Sequence, residues 1–106
     1  SWVATIENAD GSRTYFDGPK DLFKYRARGA ASATEIEIWV TDYYTTKPIK
    51  ARNAFFVRGS DVLGPMGAEL VPLASREFAE SFRADHGGEP PLLFDEIDET
   101  VLRALE

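Results

Sequence analysis

A change of hydrophobic period that occurs twice in the same order constrains this chain most. Residues 2–7 alternate Trp2, Ala4 and Ile6 against Val3, Thr5 and Glu7, the period of a half-buried strand. Asn8-Ala9-Asp10-Gly11-Ser12 supplies hairpin-turn chemistry, and Arg13 to Phe16 reads as the return strand. Gly18-Pro19 then places proline where a helix starts without needing its N–H. Leu22, Phe23, Arg26 and Ala27 share one face, and Gly29 ends a helix predicted over 19–28. A small-residue connector, Ala30 to Thr34, leads to the longest predicted strand, Glu35 to Tyr43. There Ile36, Ile38 and Val40 alternate with Glu37, Trp39 and Thr41.

The second half repeats the order. Ala54 to Val57 and Glu69 to Leu73 are β-rich runs, and Pro72, which cannot donate to a ladder, puts the second of them at a sheet edge. Ser75 is a good N-cap, Glu77 brings negative charge to the first turn, and Phe78, Ala79 and Phe82 form an apolar stripe before Gly87-Gly88. Leu92-Leu93-Phe94 reads as a short strand. Beyond it, Ile97, Val101, Ala104 and Leu105 predict a last amphipathic helix, with Asp95, Glu96, Asp98 and Glu99 crowding its start as a solvated, dipole-matched turn. The expected fold is α+β: two consecutive ββαβ units over 1–46 and 47–95, then a C-terminal helix over 96–106.

Size and charge narrow the function. A chain of 106 residues suits one compact domain or two tightly joined halves. Eighteen acidic residues against 12 basic ones oppose the counterion-release attraction that nucleic-acid binding needs, and they disfavour anionic membrane surfaces. No run approaches a membrane span, and no basic-plus-apolar signal-peptide pattern is read within these 106 residues. The chain starts at Ser1 rather than Met, so an upstream segment carrying targeting information is expected to have been removed. With no cysteine, disulfides, thiolate metal sites and the usual Cys/His zinc sites are excluded within this sequence.

The residue with the most unusual setting is Met66, the sole methionine, in Gly59-Ser60-Asp61-Val62-Leu63-Gly64-Pro65-Met66-Gly67. Its glycine and proline neighbours break regular structure and predict a turn. A thioether there either plugs a gap beneath the loop or stands as a soft donor suited to Cu(I). His86, the only histidine, continues the Phe78 and Phe82 stripe at the helix end, where it either bonds free carbonyls and complements the dipole or serves as a ligand. It reaches a metal at Met66 only if the fold brings the 64–67 turn against the 86–88 helix end. Tyr43 and Tyr44 read as packing with wet hydroxyls or as a binding rim, and Trp39 as a partner surface or a second layer of core. Chemistry of the enzyme kind has little support. Ser81 and His86 do not face each other on a helix, no Gly-x-Ser-x-Gly, Gly-x-Gly-x-x-Gly or Walker loop occurs, and no carboxylate pair is singled out.

Together, Phe16-Asp17-Gly18-Pro19-Lys20-Asp21-Leu22-Phe23-Lys24-Tyr25, Val40-Thr41-Asp42-Tyr43-Tyr44-Thr45, Ala54-Phe55-Phe56-Val57, the run from Gly59 through Gly67 to Pro72, and His86-Gly87-Gly88 stand in the order found in the NosL family. The sequence resembles that family over nearly all of residues 1–97, most specifically in Asp-Tyr-Tyr-Thr and Gly-Pro-Met-Gly. The resemblance implies two ββαβ units, similar to the N-terminal region of organomercurial lyase. It also implies a periplasmic, lipid-anchored copper chaperone of denitrification, not an enzyme, that binds Cu(I) and delivers it to nitrous oxide reductase or its assembly machinery. In the family, copper is held by a cysteine of an N-terminal Cys-Gly-Met motif and by the methionine matching Met66, with a histidine or solvent-type ligand completing the site.

Two departures bear on that expectation. The Cys-Gly-Met motif precedes the segment matching Ser1-Trp2-Val3-Ala4, and Ala68 stands where a histidine is expected after Pro-Met-Gly. Met66 and His86 are then the metal-ligand candidates here, and weak or no Cu(I) binding is expected of this chain alone. A competing expectation is a metal-free module that docks a protein through Trp39, Tyr43 and Tyr44.

Overall fold

A computed structural model describes residues 2–29 and 34–106. Its elements are β1 (Ala4–Asn8), β2 (Arg13–Phe16), α1 (Pro19–Ala27), β3 (Glu35–Thr41), β4 (Pro48–Lys50), β5 (Phe55–Val57), β6 (Val71–Leu73), α2 (Arg76–His86), β7 (Leu92–Leu93) and α3 (Glu99–Ala104), with 3-10 turns at Ala51–Asn53 and Phe94–Glu96. The strands form two antiparallel sheets in the orders β2-β1-β3-β4 and β6-β5-β7. This is the expected α+β class, with strand, strand, helix, strand occurring twice.

Alternation decides the faces of the first sheet. Ala4 and Ile6 of β1 and Ile38 and Val40 of β3 are buried on the side covered by α1, while Thr5 pairs Tyr15 and Trp39 on the other side. In the second sheet the central strand β5 is buried on both faces. Phe56 joins the core under α1, where its ring meets Phe23 edge-on at 5.4 Å, and Val57 joins a second cluster under α2 with Val71, Leu73, Ala79 and Phe82. Val101, Leu102 and Leu105 close the first core from the C-terminus. Its rim is sealed by Phe94, whose ring is met by the guanidinium groups of Arg26 and Arg52 at 4.9 and 4.7 Å. Both guanidinium groups also pair with Glu35.

Several boundaries differ from the sequence expectation. The first strand begins at Ala4 rather than Trp2, which instead packs on the second cluster. β3 ends at Thr41, because Asp42 accepts the Thr45 N–H at 2.7 Å and its carbonyl accepts that of Thr46, folding Tyr43 and Tyr44 into a turn. Pro48–Lys50, expected as loop, is a strand on the first sheet. β6 is confirmed at an edge but starts at Val71, since Glu69's own carboxylate takes the Leu70 N–H. The last helix starts only at Glu99. Glu96 accepts the Leu93 N–H and closes a separate turn, and Asp98 caps α3 through Val101. Of the expected connector, residues 30–33 lie outside the described residues.

Candidate functional site

Met66 sits on the tip of a tight turn. Gly64 and Gly67 exchange both backbone hydrogen bonds, at 2.8 and 3.2 Å, with Pro65 and Met66 between them. Pro65 pre-sets the first φ, Met66 keeps a negative φ, and Gly67 at +96° takes the left-handed value that a side chain would resist. Met66 is 67% exposed and its neighbour Leu63 65%, so the side chain does not fill a gap beneath the loop.

The base of this turn is fastened to the start of α1. Gly18, the N-cap, offers no side chain to the free N–H groups of the first turn. Glu69 supplies the acceptor from 49 positions away, its Oε2 taking the N–H of Lys20 at 2.8 Å and that of Leu70 at 2.9 Å. Close approach requires glycine on both sides. A methyl group at Gly18 would overlap Glu69 Oε1, and one at Gly64 would come within 3.1 to 3.3 Å of the Glu69 side chain. Lys20 returns the contact, its Nζ donating to the Met66 carbonyl at 3.3 Å. Burial pushes the Glu69 carboxyl above its ordinary range, against the two N–H bonds and the Lys20 charge that pull it down, while the Asp21 charge pushes it up further.

His86 is held by other neighbours. Its Nδ1 lies 2.8 Å from Asp61 Oδ1, its Nε2 3.5 Å from the Tyr43 hydroxyl, and its ring packs on Phe82 at 4.8 Å. Because a carboxylate only accepts, Nδ1 is the donor, which in the neutral ring leaves Nε2 as an acceptor facing Tyr43. The helix-end carbonyl of His86 is taken by the Asp61 N–H. No hydrogen bond, ion pair or ring contact joins Met66 to His86 among the described residues. Nor are three His, Cys, Asp or Glu side chains grouped there to hold a metal.

The aromatic residues divide. Tyr43 packs against Tyr44, Phe82 and His86, and Tyr44 against Phe78, so the pair covers α2. Trp39 lies on the open face of the first sheet, its Nε1 donating to Glu7 at 3.4 Å, with no ring contact or hydrogen bond to either tyrosine. The Tyr44 phenol is pushed up by burial first, then by Asp85, Tyr43 and Asp42. Asp42 is wholly buried and bridges the halves, Oδ1 taking the Ala74 N–H at 2.8 Å beside the Tyr43 N–H to Pro72 carbonyl bond. A concavity of about 270 Å³ between α1 and α3, lined by Phe23, Arg26 and Leu102 among others, contains neither Met66 nor His86.

Sequence reading did not find Asp61, Glu69 or Lys20. One signal for Glu69 was present: a helix opening on Gly18-Pro19 lacks its own cap, so its acceptor has to come from elsewhere in the chain. Among the described residues no helix is long and apolar enough to cross a membrane.

Three comparisons agree on what the chain is similar to. The family model described as NosL matches residues 1–102. A protein named "Copper-binding lipoprotein NosL", from Stutzerimonas stutzeri, is 38% identical over 55 residues, which are 52% of this chain and only 28% of that protein. Among solved structures, the crystal structure of the copper chaperone NosL from Shewanella denitrificans superposes with a TM-score of 0.81 at 27% identity, over 92% of this chain and 79% of that one. The solution structure of the apo-NosL protein from Achromobacter cycloclastes gives 0.64 at 28% identity, over 93% and 87%.

Proposed function

The chain belongs to the NosL family, and on that premise we propose that it is a copper chaperone that carries Cu(I) as cargo and catalyses no reaction. The observation that carries this reading is the exposed Met66 side chain on a turn closed by the Gly64–Gly67 bridge. Thioether sulfur is a soft donor that suits Cu(I) and leaves harder ions to carboxylates, so an exposed, pre-shaped methionine is matched to that ion. The names of the relatives, copper-binding lipoprotein and copper chaperone, support the same cargo.

The acceptor proposed from the family resemblance is nitrous oxide reductase or its assembly machinery, in the periplasm, with the chaperone tethered by an upstream lipid anchor. The donor set of this sequence is small. There is no cysteine, and the nitrogens of His86 face Asp61 and Tyr43, so of the two ligand candidates Met66 is the stronger. One thioether holds copper weakly, because affinity comes from several convergent soft donors. The family's Cys-Gly-Met cysteine is the proposed second donor.

An anaerobic competition titration with a Cu(I)-chelating dye tests the reading. This chain alone is expected to lose copper to the dye, and the chain preceded by Cys-Gly-Met to retain it. Met66→Leu is expected to abolish that retention, and His86→Ala to leave it nearly unchanged. Failure of the cysteine-bearing chain to bind would overturn the proposal.

A further inference from the structure

The turn that carries Met66 is fastened to α1 from two directions, and both tethers are unusual. Glu69 and Lys20 are ionisable side chains left only 6% and 7% exposed, a placement that charged groups take rarely without a reason. Glu69 ties Lys20 N–H to Leu70 N–H in a slot cleared by Gly18 and Gly64, and Lys20 Nζ ties the Met66 carbonyl. An ordinary helix cap needs only the first of these bonds.

We propose that Glu69 and Lys20 form a clamp that positions the Met66 thioether by pinning its turn to the N-terminus of α1. The inference rests on the reading of Met66 as a copper donor and assigns it two positioning residues that touch no metal themselves. Position matters when a second soft donor has to meet the sulfur, because a donor held in place loses less freedom on binding than one on a loose loop. Asp61, bonded to His86, and Val62, packed on the second cluster, anchor the run before the turn, while the framing glycines carry no side chains and Met66 is exposed, so the tether to α1 falls to the two charged residues.

Ag(I), a soft monovalent probe that does not need an anaerobic chamber, tests the clamp in the chain preceded by Cys-Gly-Met. Three variants are compared below their unfolding temperatures: Glu69→Ala removes the acceptor, Glu69→Gln keeps an amide oxygen for the two N–H groups, and Lys20→Met keeps the stem while removing the ammonium. The clamp predicts Ag(I) affinity weakened about tenfold in E69A and in K20M and restored to within about twofold in E69Q. In this chain without the added segment, E69A should speed amide exchange at Gly67 and Lys20 and move the Met66 methyl NMR signal toward its free-peptide position. E69Q should do neither, and amides of β1 should not change in any variant. Unchanged Ag(I) affinity in both E69A and K20M, with Met66→Leu still abolishing binding, overturns the clamp and leaves the donor reading standing. Full binding by Met66→Leu overturns both.

Discussion

At the scale of single residues, two buried carboxylates organise the molecule. Glu69 has a carboxyl pushed above the ordinary 4.5 by burial, so its ionisation is harder in the folded chain than in the unfolded one. The stability it contributes is therefore complete below about pH 4.5 and is lost as pH rises through the raised folded value. Urea denaturation of wild type and Glu69→Gln at stepped pH values is expected to show wild type falling relative to the variant across that window, by at most about 1.4 kcal/mol per pH unit, and running parallel to it at neutral pH. Parallel curves throughout would refute the assignment. Asp42 does a different job, accepting from Thr45 and Ala74 while wholly buried. Asp42→Ala leaves two N–H groups without partners, at about 1–3 kcal/mol each if dry. Thr45 and Ala74 are themselves exposed, so water recovers part of this and a loss of about 2 kcal/mol by denaturant titration is expected. The turn at Met66 was legible because Gly64, Pro65 and Gly67 dictate local backbone, whereas its exposure was not, since a thioether on a turn can equally fold back under the loop. Glu69 and Asp61 were not, because their partners lie 49 and 25 positions away.

At the scale of elements, local chemistry was legible wherever it was not outbid by a side chain. Ser75 caps α2 through the Phe78 N–H at 3.0 Å, as its place before an apolar stripe suggested. The late start of α3 was missed, since four acids before an amphipathic pattern read as one helix start. In the structure Glu96 and Asp98 each capture a different backbone N–H and split the segment in two. The two caps should fail differently. Ser75→Ala is expected to cost about 1 kcal/mol, with α2 still formed because Phe82 and Ala79 remain fully buried beneath it. Asp98→Ala removes a cap of similar strength from a helix of six residues, too short to persist without tertiary support. Hydrogen exchange should quicken several-fold across 99–105 in that variant while α2 keeps its protection. Loss of protection in both helices would show that the caps are not local devices.

At the scale of the whole molecule, the repeated order suggests two units while the packing argues for one. Phe56, from the second half, is fully buried among Ile6, Phe23 and Val40 of the first, and the Asp42 to Ala74 and Tyr43 to Pro72 bonds stitch the sheets at their other junction. Periodicity reveals which face of a strand is apolar but not which neighbour it meets, which is why this shared core was not visible in the sequence. Unfolding either half would strip the other of buried surface, so a single cooperative transition is expected. The two tryptophans report on opposite ends of the argument, Trp2 on the second cluster and Trp39 on the first sheet. In Trp2→Phe and Trp39→Phe proteins, the fluorescence midpoint in urea should coincide with the far-UV circular dichroism midpoint of the same protein. Phe56→Ala should lower stability by about 3–5 kcal/mol and shift both reporters together. That is a large share of the roughly 5–15 kcal/mol that holds a domain of this kind. If Trp39 instead kept its midpoint while Trp2 moved, the halves would be separable, and the turn bearing Met66 would be free to open without disturbing the sheet beneath α1.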